Sequence, residues 1–404
     1  GLTFIAQNNW TGSGPMETGF ALNASNAFSG PVEIQRGSVY LGNASAFTRT
    51  NVLTFNPATG NNARLFLYGN NAVVADLSSP GDGAAAIANG NLASGAAFSV
   101  GPVTLTVQQN NDTVFGGAIT DTLLEYAGSG SGTTGPLNLV KRGPATLRLT
   151  GANSYSGTTT ISGGALGVDG SLAGSSLIVQ AGGSLSGIGS INCPVTIQSG
   201  GNLAPGSSTV GALTILNTLD LSGNTRMRVA KAGMSLTSDQ VGGVTRVSYG
   251  GSLTVTNIGA WPLEAGDKFT LFTASTYTNA FTSFTLPPLG AALAWDTSNL
   301  VFNGSITVIN STSAPVILHQ PQGLTLNVGS PANFSVVAAG SRPLGYQWRK
   351  NGGNIAGATT SSYQLPATST NDSGAYTVVV TNSFGSTTSV VATLNILPPG
   401  QSAS

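Results

Sequence analysis

The sequence predicts an all-β chain in two parts: a long β-solenoid body and a smaller β domain behind it. Three observations carry this. Of 404 residues, only 7% are charged and 56 are Gly, and a chain so poor in Glu and Lys lacks material for long helices. Apolar and polar residues alternate in short runs that recur roughly every 7 to 12 residues, separated by Gly, Asn and Ser turns. Part of the pattern also occurs twice without a gap.

Composition excludes several classes of function. Lys+Arg and Asp+Glu number 14 each, so the net charge is zero. Nucleic acid and anionic membrane surfaces both need a basic patch that this balance does not supply. Disorder is excluded because 40% of residues are hydrophobic and they alternate with polar ones. No apolar run approaches the roughly 20 residues of a membrane helix. Cys193 is the one cysteine, so no internal disulfide forms, and it reads as a small buried apolar residue. The start at Gly1 reads as a secreted chain whose signal peptide has been removed, or as a trimmed chain. A surface made of hydroxyls and amides repels its own copies weakly, which favours self-association.

The elements follow in order. In "GLTFIAQNNW", Leu2, Phe4 and Ala6 alternate with Thr3, Ile5 and Gln7. This strand, apolar on both faces, reads as the first coil of the body. Leu2, Thr3, Phe4, Ile5 and Ala6 are also the candidate strand for docking onto a neighbouring subunit. A solenoid has two open ends, and a head-to-tail contact that does not close gives a filament. Next comes "LNASNAFSGPVEIQRGSVYL" (Leu22 to Leu41), which aligns with "LTGANSYSGTTTISGGALGV" (Leu149 to Val168). Phe28 meets Tyr155, Gly30 meets Gly157, Ile34 meets Ile161, Gly37 meets Gly164, and Leu41 meets Val168. Each copy reads as strand, Gly turn, strand. Later alternating pairs are Leu177 and Val179, Val195 and Ile197, Leu219 and Leu221, and Met227 and Val229.

Nothing between these strands is long enough for a crossover helix, which leaves an antiparallel sandwich or a parallel solenoid. Scarce charge and double-Gly corners favour the solenoid. Its coils of about 20 to 25 residues stack about 4.8 Å apart, and like charges stacked along such a ladder would repel.

"LVKRGPATLRLTGANSYSGTTTISGGALGV" (Leu139 to Val168) resembles the autotransporter-associated β-strand repeat, with its Lys-Gly-x-Gly-like turn, its Gly-Ala-Asn-x-Tyr-x-Gly and its closing Gly turn. "GIGSINCPVTIQSGGNLAPGSSTVGALTI" is similar to the coil that usually follows. Segments within residues 238–309 resemble the C-terminal ends of such passengers. The resemblance implies a β-solenoid outside a bacterial cell or on its surface. It does not extend to the membrane-spanning β-barrel of autotransporters.

After Ile309 the texture changes. Pro315 and Pro321 mark a linker, Trp348 follows in "GYQWRKNG", and Asp372, Gly374 and Tyr376 stand in "NDSGAY". This stretch resembles bacterial immunoglobulin-like domains. The resemblance makes Trp348 the core Trp and places Asp372, Gly374 and Tyr376 in the tyrosine corner. Val336 and Val378 take the two positions where such domains often hold a disulfide. The expected domains are therefore a body over 1–310, with repeat copies at 22–41 and 149–168 and a terminal portion from about 226. A linker over 311–317, an immunoglobulin-like domain over 318–396 and a tail over 397–404 follow.

Catalysis needs convergent titratable groups. His319, the one histidine, stands in the linker region without a partner in sequence. Asp112, Asp121 and Glu125 are the nearest approach to an acid cluster; a glycosidase pair would sit about 5 to 9.5 Å apart, and no Arg, Lys or His flanks these three, which read as solvated loop carboxylates. The sequence thus expects no catalytic, cofactor or metal residues. Calcium is the ligand left open, through backbone oxygens and Asp, although the Gly-Gly-x-Gly-x-Asp nonapeptide is absent. The expected function is a non-enzymatic subunit of a surface fibre, filament or sheath. Its partners are copies of itself, or surface polysaccharide. The alternatives are a monomeric adhesin or carbohydrate-binding passenger, and a polysaccharide-degrading β-helix enzyme.

Overall fold

The backbone winds into coils because period-2 side chains leave one apolar row per strand, and Gly corners turn each strand into the next. The computed structural model describes residues 2–5, 19–23, 30–91, 99–123, 133–290, 293–311 and 314–398. The chain forms two compact units. One comprises residues 1–230, 237–258 and 271–286; the other comprises 231–236, 259–270 and 287–404.

The first unit is a three-faced parallel β-solenoid. Its first face runs through Val103–Val107, Leu137–Lys141, Thr158–Ile161, Ser176–Val179, Val195–Ile197 and Thr218–Leu221. The second runs through Thr113–Phe115, Thr146–Leu149, Gly164–Val168, Gly183–Gly187, Asn202–Pro205, Asn224–Ala232 and Ser252–Asn257. The third, of shorter strands, includes Ala118–Leu123, Ala152–Asn153, Ser171–Leu172, Ser190–Ile191 and Ala212–Ile215.

Parallel register makes identical positions stack. On the second face Leu147, Leu166, Leu185 and Leu203 pair in turn, and all four are fully buried. Burying each such side chain stabilises by roughly 1.5–3 kcal/mol. On the first face Leu139 pairs with Thr159, Thr159 with Leu177 and Leu177 with Val195, so these coils close in 18 to 20 residues. The expected 20 to 25 is too long there and too short elsewhere: Leu105 pairs with Leu139 across a much longer coil. Corners absorb the excess, because the ladder constrains only the rungs.

The two repeat copies share a local shape but occupy different corners. Gly37 and Gly164 both take positive φ, 84° and 58°. Thr158–Ile161 and Gly164–Val168 lie on the first and second faces. In the earlier copy, Val32–Leu41 bends at Gly37. Its first half pairs with Val52–Phe55, in line with the second face, and its second half pairs with Asn62–Phe66, in line with the third.

The second unit begins with an antiparallel sheet of Lys268–Thr270, Ser305–Asn310 and Leu293–Asp296. A one-turn helix, Leu300–Asn303, closes on Gly304 in the left-handed region. The immunoglobulin-like sandwich follows. One of its sheets orders Leu324–Asn327, Ala392–Leu397, Gly374–Asn382, Gly345–Lys350 and Gly353–Asn354. The other partner strands include Ala332–Ser335 against Ser362–Leu365. Trp348, Phe334, Tyr376 and Val378 fill the core.

Candidate functional site

The repeat that dominated the sequence is a device for tying coils together. Asn153 is buried and reaches three successive coils: its Oδ1 accepts from Ile119 N at 3.1 Å, and its Nδ2 donates to Gly151 O at 3.0 Å and Ser171 O at 3.1 Å. Tyr155 is fully buried and its hydroxyl lies 2.6 Å from Thr159 Oγ1. Burial pushes the Tyr155 phenol far above its ordinary range. The pair explains why a Thr replaces an aliphatic residue on that rung. Gly157 is required because a Cβ there would lie 2.2 Å from Leu137 O.

Lys141 stands in the inward row. It pairs with Val107 on one side and Ile161 on the other and is fully buried. Its ammonium donates to the carbonyls of Arg142 (2.8 Å), Gly143 (3.1 Å) and Gly163 (2.9 Å), closing two corners at once. Burial lowers its pKa to about 8, against the opposing attraction of Asp112 and Asp76.

Several carboxylates of the solenoid are engaged with backbone. Asp112 accepts from Thr146 N at 2.6 Å. Asp121 accepts from Leu137 N at 2.7 Å and Ser156 N at 2.9 Å. These two acids cap different corners; Glu125 lies outside the described residues. Asp76 accepts from the N–H groups of Asn110 and Asn111. Sequence reasoning passed over Asp76, Asn153 and Lys141 as functional residues. The alternation Leu137, Leu139, Lys141 did point Lys141 inward. Among the described residues no group of three or more His, Cys, Asp or Glu could hold a metal ion. Cys193 is 1% exposed, and burial pushes its thiol up to about 11.

The candidate docking strand lies on its own chain. Leu2, Thr3 and Phe4 pair in parallel with Val32, Glu33 and Ile34, and Ile5 with Arg36 past a register shift. Gly19–Leu22 sits beside it on Ser38–Leu41, and the rings of Phe4 and Phe20 are 5.2 Å apart. Ala6 lies outside the described residues.

In the sandwich, Trp348 is fully buried and its Nε1 donates to Thr360 O at 2.9 Å. Val336 and Val378 are buried. The Tyr376 hydroxyl donates to Asp372 O at 2.9 Å. The Asp372 carboxylate accepts from Ser369 N and Oγ, which hold it below the usual carboxylate range. Gly374 leaves room for Asn351, whose Oδ1 accepts from Ala375 N. His319 stacks on Phe302 at 4.7 Å.

A groove of about 390 Å³ lies on the outer side of the second face of the solenoid. Arg148 stands at one side and Arg226 and Arg228 at the other, with Ser186 and Ala204 between them. A smaller groove on the far side of Arg148 includes Asp112.

Residues 139–168 match the passenger-associated-transport-repeat, and residues 314–382 match an immunoglobulin domain. The chain carries a passenger-type repeat and an immunoglobulin-like domain. Among curated proteins it is similar to the adhesin BmaC autotransporter of Brucella suis, 37% identical over 122 residues, 30% of this chain and 3% of that protein. It is also similar to endoglucanase C of Cellulomonas fimi, 32% identical over 110 residues, 26% of this chain and 10% of that one. The chain thus spans a tenth or less of the length of these relatives. Among solved structures, an immunoglobulin domain from a titin M10–obscurin-like 1 complex overlaps 22% of this chain and 99% of its own, at 23% identity and a TM-score of 0.21.

Proposed function

We propose that this passenger-type chain is a non-enzymatic structural subunit displayed outside a bacterial cell, joined end to end with copies of itself by strand addition. The observation that carries the reading is the N-terminal rung. Leu2–Ile5 extends the parallel ladder, with a register shift before Ile5, yet Leu2, Ile5 and Phe20 remain 40, 53 and 41% exposed. A rung with apolar side chains turned outward offers both backbone and surface to another strand. The non-enzymatic part is supported by the structural use of Asp76, Asp112 and Asp121, whose carboxylates accept from backbone N–H groups at separate corners and do not converge on one site. The immunoglobulin-like domain serves as spacer or docking partner.

Electron microscopy of the full chain and of a Leu2→Lys, Ile5→Lys variant tests this. Both positions are exposed, so the fold survives. Filaments lost in the variant support assembly through this rung; filaments kept in it move the joint elsewhere. Single particles at high concentration leave the second reading, a surface adhesin, which the similarity to an autotransporter adhesin favours.

A further inference from the structure

We propose that the groove on the second face binds an acidic polysaccharide, with Arg226 as its anion contact. Arg148 and Arg226 project from strands four rungs apart in the order Thr146–Leu149, Gly164–Val168, Gly183–Gly187, Asn202–Pro205, Asn224–Ala232. At about 4.8 Å per rung the floor is roughly 19 Å across, wide enough for a saccharide chain. Three of the chain's 14 basic residues line this one groove, against one carboxylate, Asp239.

The three guanidinium groups differ in what they are free to do. Arg228 is consumed: it pairs with Asp239 at 2.8 Å and donates to the carbonyls of Pro205, Ser207 and Thr209. Arg148 pairs with Asp169 and lies along Gly167, where a Cβ would meet its Cγ at 3.2 Å. Arg226 is exposed, and no hydrogen bond or ion pair engages it among the described residues. It therefore presents a full fork of donors, the geometry that takes a carboxylate or sulfate bidentately.

The floor selects the rest of the ligand. Ser186, with Thr146 and Thr256 on the walls, offers hydroxyls to a hydroxyl-rich chain. An extended peptide gains its affinity from an open strand edge and apolar pockets. This site is a sheet face whose backbone groups are spent in the ladder, and its floor is Ala and Ser. The inference does not rest on end-to-end assembly.

The test is calorimetry of the full chain with polygalacturonate, dextran sulfate, dextran and poly-glutamate at low and high salt. The expected result is salt-sensitive binding of an anionic polysaccharide and none of dextran. Tighter binding of polygalacturonate assigns a carboxylate as the anion, and tighter binding of dextran sulfate assigns a sulfate. Arg226→Gln, and Ser186→Trp which fills the floor, should each weaken binding about tenfold. Arg246→Gln, on another face and paired with Asp220, should not. Equal loss in Arg246→Gln, equal binding of dextran or of poly-glutamate, or no binding of any polysaccharide would overturn the proposal.

Discussion

Lys141 occupies a position filled by Val107 and Ile161 on the adjoining rungs. Its folded pKa of about 8 lies below the ordinary 10.5. Between those values the unfolded chain holds a proton that the folded chain has released, so stability rises with pH across that window and is flat below it. The rise should reach at most about 3 kcal/mol. Urea unfolding at pH 7 and pH 10, in the wild type and in Lys141→Met, measures it: the variant should lack the rise and keep only the opposing loss from Cys193, whose thiol burial pushes up to about 11. Tyr155 makes a second case. Tyr155→Phe strands the buried Thr159 hydroxyl and should cost about 1–2 kcal/mol. Adding Thr159→Val should recover most of it, because removing both polar partners leaves nothing unsatisfied.

Corners rather than strands are the fragile elements. Gly164 has φ of 58°, and a Cβ there would lie 2.4 Å from Gly143 O and 2.5 Å from Ala145 O. Gly60 has φ of 81° but nothing within 4 Å. Gly164→Ala should therefore cost at least about 2 kcal/mol, from strain and collision together, and Gly60→Ala only about 1 kcal/mol, from strain alone. Thermal melts of the two variants would separate the contributions. The strands at this scale were legible, since Leu147 with Leu149 and Leu177 with Val179 alternate as inward rows must. The face each strand joins was not, because a corner of variable length carries no period. For the same reason the groove was hidden: Arg148, Ser186, Ala204 and Arg226 meet only once the register is known. Lys141 was hidden differently, since its alternation pointed inward while its charge argued for the surface.

At the scale of the whole molecule, the chain divides into two compact units, each with its own core. Substitutions in one should leave the other standing. Trp348→Ala empties a fully buried site and should cost about 3–5 kcal/mol in the second unit. Calorimetry should show two transitions, with Trp348→Ala lowering one and Gly164→Ala the other; a single transition moved by both would show one cooperative unit. Two all-β parts were legible from the change of texture after Ile309. The small antiparallel sheet that residues 268–270, 293–296 and 305–310 form within the second unit was not, because it depends on pairing between distant segments.

The lone Cys193 has a use beyond filling space. Sealed under the third-face corner with its thiol held neutral, it cannot meet a thiol reagent until its coil opens. The protein thus contains its own clock. The rate at which a disulfide dye labels the native chain reports how often the middle of the solenoid unlatches, and comparing that rate with global unfolding tells whether coils let go singly or together.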